Sequence, residues 1–225
     1  MRAIDQTQPR PAALQSRKAR RPLLLAIAGG SGSGKSWLAT KLETALAPNV
    51  LRICLDDFYR DRSHLTPARR ARLNFDHPRA IDWNALENAL KRLHAGHPAR
   101  VPSYDFKTHT RLAASQVLRP KPLIVVEGLW LLRRPALRRL FALRIFLECP
   151  ARTRLKRRLA RDGQSRGRTR ESVQAQFHAT VQPMHRLFVA PQVRWAHVRL
   201  RGTPGNKEIK RITQWLRTQN PFDIS

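Results

Sequence analysis

The residues best suited to chemistry stand together near the start of the chain: Gly29, Gly30, Ser31, Gly32, Ser33, Gly34, Lys35 and Ser36, in the order GGSGSGKS. Alternating glycine and serine makes flexible linkers, yet this run also satisfies the phosphate-binding pattern G-x-x-x-x-G-K-[ST]. In that pattern backbone N–H groups converge on a phosphate, the lysine reaches the β- and γ-phosphates of a nucleoside triphosphate, and the last hydroxyl sits on Mg²⁺. Lys35 and Ser36 would take those two roles. The flanks decide between linker and cradle. Ahead of the glycines runs LLLAIA, a buried-strand pattern, and behind them KSWLATKLETAL places Leu38, Leu42, Ala45 and Leu46 on one helical face. A strand, a glycine loop and a helix N-terminus in that order are the setting of a phosphate-binding P-loop.

Carboxylates close two other apolar runs. LIVVEG leads through four apolar residues to Glu127, where an acid on the Mg²⁺ side of a P-loop is expected, and Gly128 then breaks the strand. LDDFYR puts Asp56 and Asp57 at the C-terminal edge of the second strand, where open parallel sheets bind ligands. Asp56 there is a candidate base toward a hydroxyl receiving a phosphoryl group. Taken alone, the pair reads equally well as the cap of a solvated turn.

These residues need elements to position them, and the chain supplies an alternation. Strand-like runs occur at 22–29, 50–57, 122–128, 143–149 and 197–202, with helical patterns at 35–47, 82–95, 151–162, 170–189 and 205–218. Near-continuous apolar strands separated by helices predict an α/β fold with a parallel sheet covered on both faces. The 225 residues fit one such domain over 22–225, preceded by a basic, loosely ordered arm at 1–21. An apolar fraction of 41% argues against wholesale disorder. The longest early apolar run, LLLAIA, is too short for a signal segment or a membrane span. Cys54 and Cys149 each lie in a strand-like run and read as buried free thiols. A cytoplasmic protein with no membrane partner follows by default.

The charge is unusual: 44 Lys and Arg against 15 Asp and Glu give +29, attractive to any polyanion. Residues 131–170 alone hold fourteen basic and two acidic residues. A nucleic-acid partner is disfavoured nonetheless, because aromatics are not interleaved with the basic runs as in a stacking platform.

Three further motifs, NFDHPRAIDW (74–83), PSYDFKTHTR (102–111) and RDGQSRGRTRESVQAQF (161–177), join GGSGSGKS, LDDFY and VVEG in order. Together, across roughly residues 22 to 218, they resemble the uridine kinase family, relatives of phosphoribulokinase among the P-loop kinases. The resemblance implies a P-loop fold with an Arg-rich lid at about 151–170, ATP or GTP as phosphate donor, Mg²⁺, and a small nucleoside as acceptor. It also implies roles. Asp56 becomes the base toward the ribose 5′-hydroxyl, near the metal with Ser36 and Glu127. Asp76 holds the ribose hydroxyls, Tyr104 and Phe106 line the nucleoside pocket, and His109 bonds the pyrimidine. Arg158, Arg161, Arg166 and Arg168 match lid positions, with Arg168 facing the nucleoside and the others the triphosphate, and Gln176 falls near the base. Gly163 and Gly167 read as hinges of the lid. The family often forms homo-oligomers, though no interface is legible here.

The chain departs from the pattern in two places. Asp57 stands where the family commonly has Ser or Thr, and the lid reads SRGR in place of E-R-G-R. These departures bear on the acceptor, and two other readings compete with a nucleoside kinase. One is a kinase of the same fold acting on another small alcohol, such as a phosphorylated sugar or pantothenate. The other is a basic nucleic-acid-binding protein with a regulatory P-loop.

Overall fold

The computed structural model describes residues 21–219, without the side chains of Ala71, Ser165 and Arg166, so the arm expected at 1–21 lies, but for its last residue, outside the described residues. The chain begins with β1 (Leu23–Gly29), α1 (Lys35–Leu46) and β2 (Val50–Cys54), followed by α2 (Pro67–Ala71) and α3 (Trp83–His94). Four short strands come next: β3 (Ala99–Val101), β4 (Tyr104–Asp105), β5 (Thr110–Arg111) and β6 (Gln116–Leu118). The alternation then resumes with β7 (Leu123–Gly128), α4 (Pro135–Leu140), β8 (Leu143–Glu148) and α5 (Ala151–Arg166). The helix α6 (Arg170–Gln176) runs on through wide π-type turns either side of α7 (Gln182–Met184), and β9 (Val198–Arg201) and α8 (Asn206–Gln219) complete the order.

Five strands form one parallel sheet in the order β2-β7-β1-β8-β9. Its centre is β1, and β7 beside it is buried along its whole length, as its apolar run requires. Successive side chains leave opposite faces, and each face has its own core. Leu25, Ile27, Val125 and Ile145 pack with Leu38 and Leu42 of α1 and with Ile212 and Leu216 of α8. Leu24, Ala26, Ile124 and Val126 pack with Leu86 and Leu90 of α3, Leu137 of α4 and Val189 of the long helix. The expected α/β sheet with helices on both faces is therefore present. Among the described residues no helix is long and apolar enough to cross a membrane.

Three expectations need correction. The second strand stops at Cys54, and Leu55–Phe58 coils into a 3₁₀ turn. Leu55 drives this bend: it is fully buried over Gly128, where any Cβ would lie 2.3 Å from its own. The segment 99–118, outside every strand-like or helical run of the sequence, pairs as two antiparallel ribbons, β3 with β6 and β4 with β5. Cys54 and Cys149 are free, but each is half-buried.

Candidate active site

The glycine loop closes on its own lysine. Gly32 and Gly34 take left-handed φ values of 79° and 100°, open to glycine at little steric cost. Lys35 Nζ donates to the Gly30 carbonyl at 3.0 Å, which curls the loop around the start of α1. Burial pushes the Lys35 pKa down, while the carboxylates of Glu127 and Asp56 pull the other way. Ser33 Oγ is buried without a partner, and a Cβ on Gly32 would meet the Arg154 carbonyl at 2.6 Å. The loop is a polar cradle with one buried, partnerless hydroxyl, and its residues fit a phosphate chain.

Helix α5 braces this loop with three arginines. Arg154 is 1% exposed. Its Nε donates to the Cys149 carbonyl at 3.2 Å, and its guanidinium lies 5.5 Å from the Phe177 ring centre. Arg157 donates to the Gly32 carbonyl at 3.3 Å, and Arg158 to Ser31 Oγ at 2.8 Å. Two of these three, Arg154 and Arg157, were not foreseen; only the density of arginines in 151–170 pointed to them.

Behind the loop Ser36 Oγ donates to Glu127 Oε2 at 2.7 Å, so the two expected metal-side groups are in contact. Glu127 is 2% exposed, and Arg52 from β2 holds its other oxygen through Nε at 3.0 Å and through Nη2. This clamp keeps one carboxylate oxygen on the Ser36 side. Arg52 gave no signal in the sequence, since a lone Arg in a strand reads as a solvated edge. Asp56 and Asp57 sit on the 3₁₀ turn beside them. Burial, together with the negative charges of Asp56 and Glu127, raises the Asp57 pKa to about 6. A hydroxyl and several carboxylates at one end of a phosphate cradle suit a hard divalent cation such as Mg²⁺.

In front lies a cavity of about 530 Å³ that gathers most of the remaining candidates. Asp56 and Ser31 reach it from the cradle side, Arg158 and Arg161 from α5, Arg168 from just beyond it, and Gln176 from α6. Asp76, Tyr104, Phe106 and His109 form the far wall with Tyr59 and Phe75. The aromatic wall is interlocked. Tyr59 lies 5.1 Å from Tyr104 and 5.9 Å from Phe75, and Phe75 stacks on the His109 ring at 4.4 Å and 12°. His109 occupies the left-handed region, at φ 56°, in the turn joining β4 to β5. The Tyr104 hydroxyl is buried with no hydrogen-bond partner, and burial lifts its pKa to about 12. An orphaned donor on a cavity wall is what a ligand's acceptor atom would satisfy.

Asp76 is held from the opposite side: Thr180 Oγ1 donates to its Oδ2 at 2.9 Å, leaving its other oxygen to the cavity. Burial raises its pKa, with Thr180, Arg158 and Arg168 opposing. Thr180 and Phe75 were not anticipated, although Phe75 lies inside the motif that flagged Asp76. Arg111, the last residue of PSYDFKTHTR, also gains a role. Its guanidinium donates to the Tyr59 carbonyl at 2.8 Å and to Asp82 at 3.2 Å, tying the β4–β5 ribbon to the turn that bears Asp56. Arg111→Ala is expected to cost about 2 kcal/mol of stability, the sum of two charge-assisted bonds in a partly exposed place. A urea midpoint unchanged from wild type would remove that bracing role.

On α5, Arg158 joins Gln176 Oε1 at 3.0 Å and Asp162 at 3.3 Å, while Arg161 bonds Asp162 at 2.8 Å. Arg168 also donates to Gln176 and to Ser172 Oγ, the latter at 2.8 Å. Arg158 thus touches both Ser31 of the cradle and Gln176 of the acceptor side. The Arg166 side chain lies outside the described residues. Of the two expected hinges, Gly167 ends α5 with φ 61°, whereas Gly163 sits within the helix and marks no break.

Comparison with known proteins gives consistent results. The profile of the Phosphoribulokinase / Uridine kinase family matches residues 24–208. A uridine kinase from Chloroflexus aggregans is 43% identical over 178 residues, which cover 79% of this chain and 85% of that protein. One from Clostridium perfringens is 38% identical over 180 residues, 80% of this chain and 86% of that one. Among solved structures, phosphoribulokinase from Rhodobacter spheroides superposes with a TM-score of 0.62 at 16% identity, over 81% of this chain and 71% of its own. D-glycerate 3-kinase from Cryptococcus neoformans does so with a TM-score of 0.59 at 18% identity, over 80% and 85%. At these identities the structural likeness is one of fold.

Proposed function

This chain belongs to the phosphoribulokinase and uridine kinase family, and on that premise we propose that it moves the γ-phosphate of ATP or GTP to the 5′-hydroxyl of uridine or cytidine. The observation that carries this reading is the single cavity in which Asp56 meets Asp76, Tyr104, Phe106 and His109. A carboxylate with one free oxygen accepts from a ribose diol, and aromatic faces with an imidazole suit a pyrimidine.

The roles follow from placement. Lys35 and the loop amides hold the β- and γ-phosphates, and Arg158, Arg161 and Arg168 face the transferring group and exclude water. Asp56 accepts the proton of the 5′-hydroxyl as its oxygen bonds to the γ-phosphorus. The bond from that phosphorus to the bridging oxygen breaks, and the electron pair leaves with the nucleoside diphosphate. Ser36, Glu127 and Asp56 would hold Mg²⁺, which supplies neutralisation of the phosphate charge. Gln176, fixed by Arg158 and Arg168, orients toward the base. The free thiols Cys54 and Cys149 support a reducing, cytoplasmic setting, where salvage of free pyrimidine nucleosides would use this reaction.

The test is nucleoside diphosphate release from ATP and Mg²⁺ across uridine, cytidine, adenosine, ribulose 5-phosphate and pantothenate. Stimulation by the pyrimidine nucleosides alone is expected; stimulation by a phosphorylated sugar or pantothenate instead would discard the acceptor pocket. A finer prediction concerns Thr180→Val, which removes the donor to Asp76 while keeping shape. It should raise the uridine KM about fivefold, the worth of one such bond, with kcat little changed. An unchanged KM would withdraw Asp76 as the ribose contact.

A further inference from the structure

A second concavity, about 810 Å³, opens behind the acceptor site and is lined by Arg60, Arg62, Arg79, Arg133, Arg134 and His77. We propose that it is a binding site for an oligophosphate, distinct from the P-loop. Basic residues are common on this surface, but here they converge on one hollow and remain unspent. Among the described residues no carboxylate pairs with Arg60, Arg62, Arg79 or Arg133, and only Arg134 has one, through Nε to Glu87 at 2.8 Å. Five guanidinium groups facing one volume repel one another, and a polyanion relieves that repulsion.

The side chains are also set in position. Arg133 lies over the Phe188 ring at 4.7 Å and Arg134 over Trp83 at 5.6 Å, so an aromatic face fixes each guanidinium and leaves its N–H edge for phosphate oxygens. Trp83 is held in turn by its indole N–H, which donates to the Pro78 carbonyl at 2.9 Å. His77 Nδ1 accepts the Arg79 amide at 3.0 Å, so its other ring nitrogen carries the hydrogen and donates. Burial and the positive charges of Arg79 and Arg133 lower the His77 pKa, a sign of the field inside the hollow.

The site is separated from the acceptor cavity by one segment. Phe75 and Asp76 line the acceptor cavity, whereas His77 lines the basic one. The two sites thus share a backbone but no arginine. A guanidinium-lined hollow of this kind accepts the phosphate chain of a nucleoside triphosphate or a free inorganic polyphosphate alike.

The experiment is isothermal titration of the full chain, at physiological salt, with inorganic tripolyphosphate and separately with CTP. To silence the P-loop, Lys35→Ala is the starting protein, and Arg79→Glu with Arg133→Glu is added to it. Lys35→Ala should bind one equivalent of tripolyphosphate saturably, and the added reversals should weaken it by about tenfold or more. Tighter binding of CTP than of tripolyphosphate would identify a nucleotide as the ligand, and equal binding the phosphate chain alone. The reversals placed in the otherwise wild-type chain should leave basal turnover unchanged, which verifies folding. No saturable binding to Lys35→Ala, or an affinity indifferent to the reversals, would overturn the proposal. So would a site that takes short RNA and not tripolyphosphate.

Discussion

Asp56→Asn should lower kcat by about three orders of magnitude while leaving ATP affinity within about twofold, the pattern of a lost general base. The substitution keeps the shape of the side chain on the 3₁₀ turn and removes only its capacity to accept a proton. Asp56 is positioned for that task by Leu55, buried over Gly128, which ends β2 and turns the carboxylate into the cavity. Its charge is felt by its neighbours: it raises the pKa of Cys54 and Tyr59 and offsets the desolvation of Lys35. Asp57 does not stand in for it. That carboxyl is not among the cavity-lining groups, and its raised pKa of about 6 reflects burial beside Asp56 and Glu127. Steady-state kinetics with a parallel ATP-binding measurement would decide the matter. Turnover near wild type in Asp56→Asn would remove it as the base.

Lys35→Ala should reduce kcat/KM for ATP by at least about a hundredfold, losing binding and rate together. The ammonium sits between the Gly30 carbonyl, at 3.0 Å, and the charges of Glu127 and Asp56. Removing it strips a cation from a buried place that keeps the carboxylates of Glu127 and Asp56 nearby, so an entering triphosphate would meet more repulsion. It also frees the loop, whose curl rests on that bond. Lys35→Arg should rescue little. Its guanidinium is bulkier and planar, and Gly30 is already confined beneath by His185 and Arg154, whose atoms lie 2.8 and 3.0 Å from a notional Cβ. Full activity in Lys35→Ala would sink the phosphate assignment.

Much of this architecture was legible because it is written in runs. The inner strands β1 and β7 are apolar stretches buried on both faces, and the P-loop announces itself through glycines whose left-handed φ values no other residue adopts cheaply. The cavity's candidate residues were legible only as a family resemblance, since Asp76 lies far along the chain from the hairpin that carries Tyr104 and His109 and nothing local brings them together. What stayed hidden has a common cause. The ribbons of residues 99–118 are two- and three-residue strands, too short to show alternation. Arg52, Arg111 and Thr180 act by reaching across elements to Glu127, Asp82 and Asp76, contacts that only the tertiary fold creates. Gly163 marks no break because it lies exposed inside α5, where a glycine costs only about 1 kcal/mol.

The most direct test compares uridine with 5′-deoxyuridine as acceptor in ATP turnover, with the product identified by mass. Uridine should yield UMP and one ADP per turnover. The deoxy analogue should yield neither and should compete with uridine, because it keeps the diol and base contacts but lacks the hydroxyl facing Asp56. ADP formation that is indifferent to the 5′-hydroxyl, or a pyrimidine nucleoside that neither reacts nor competes, would contradict the account.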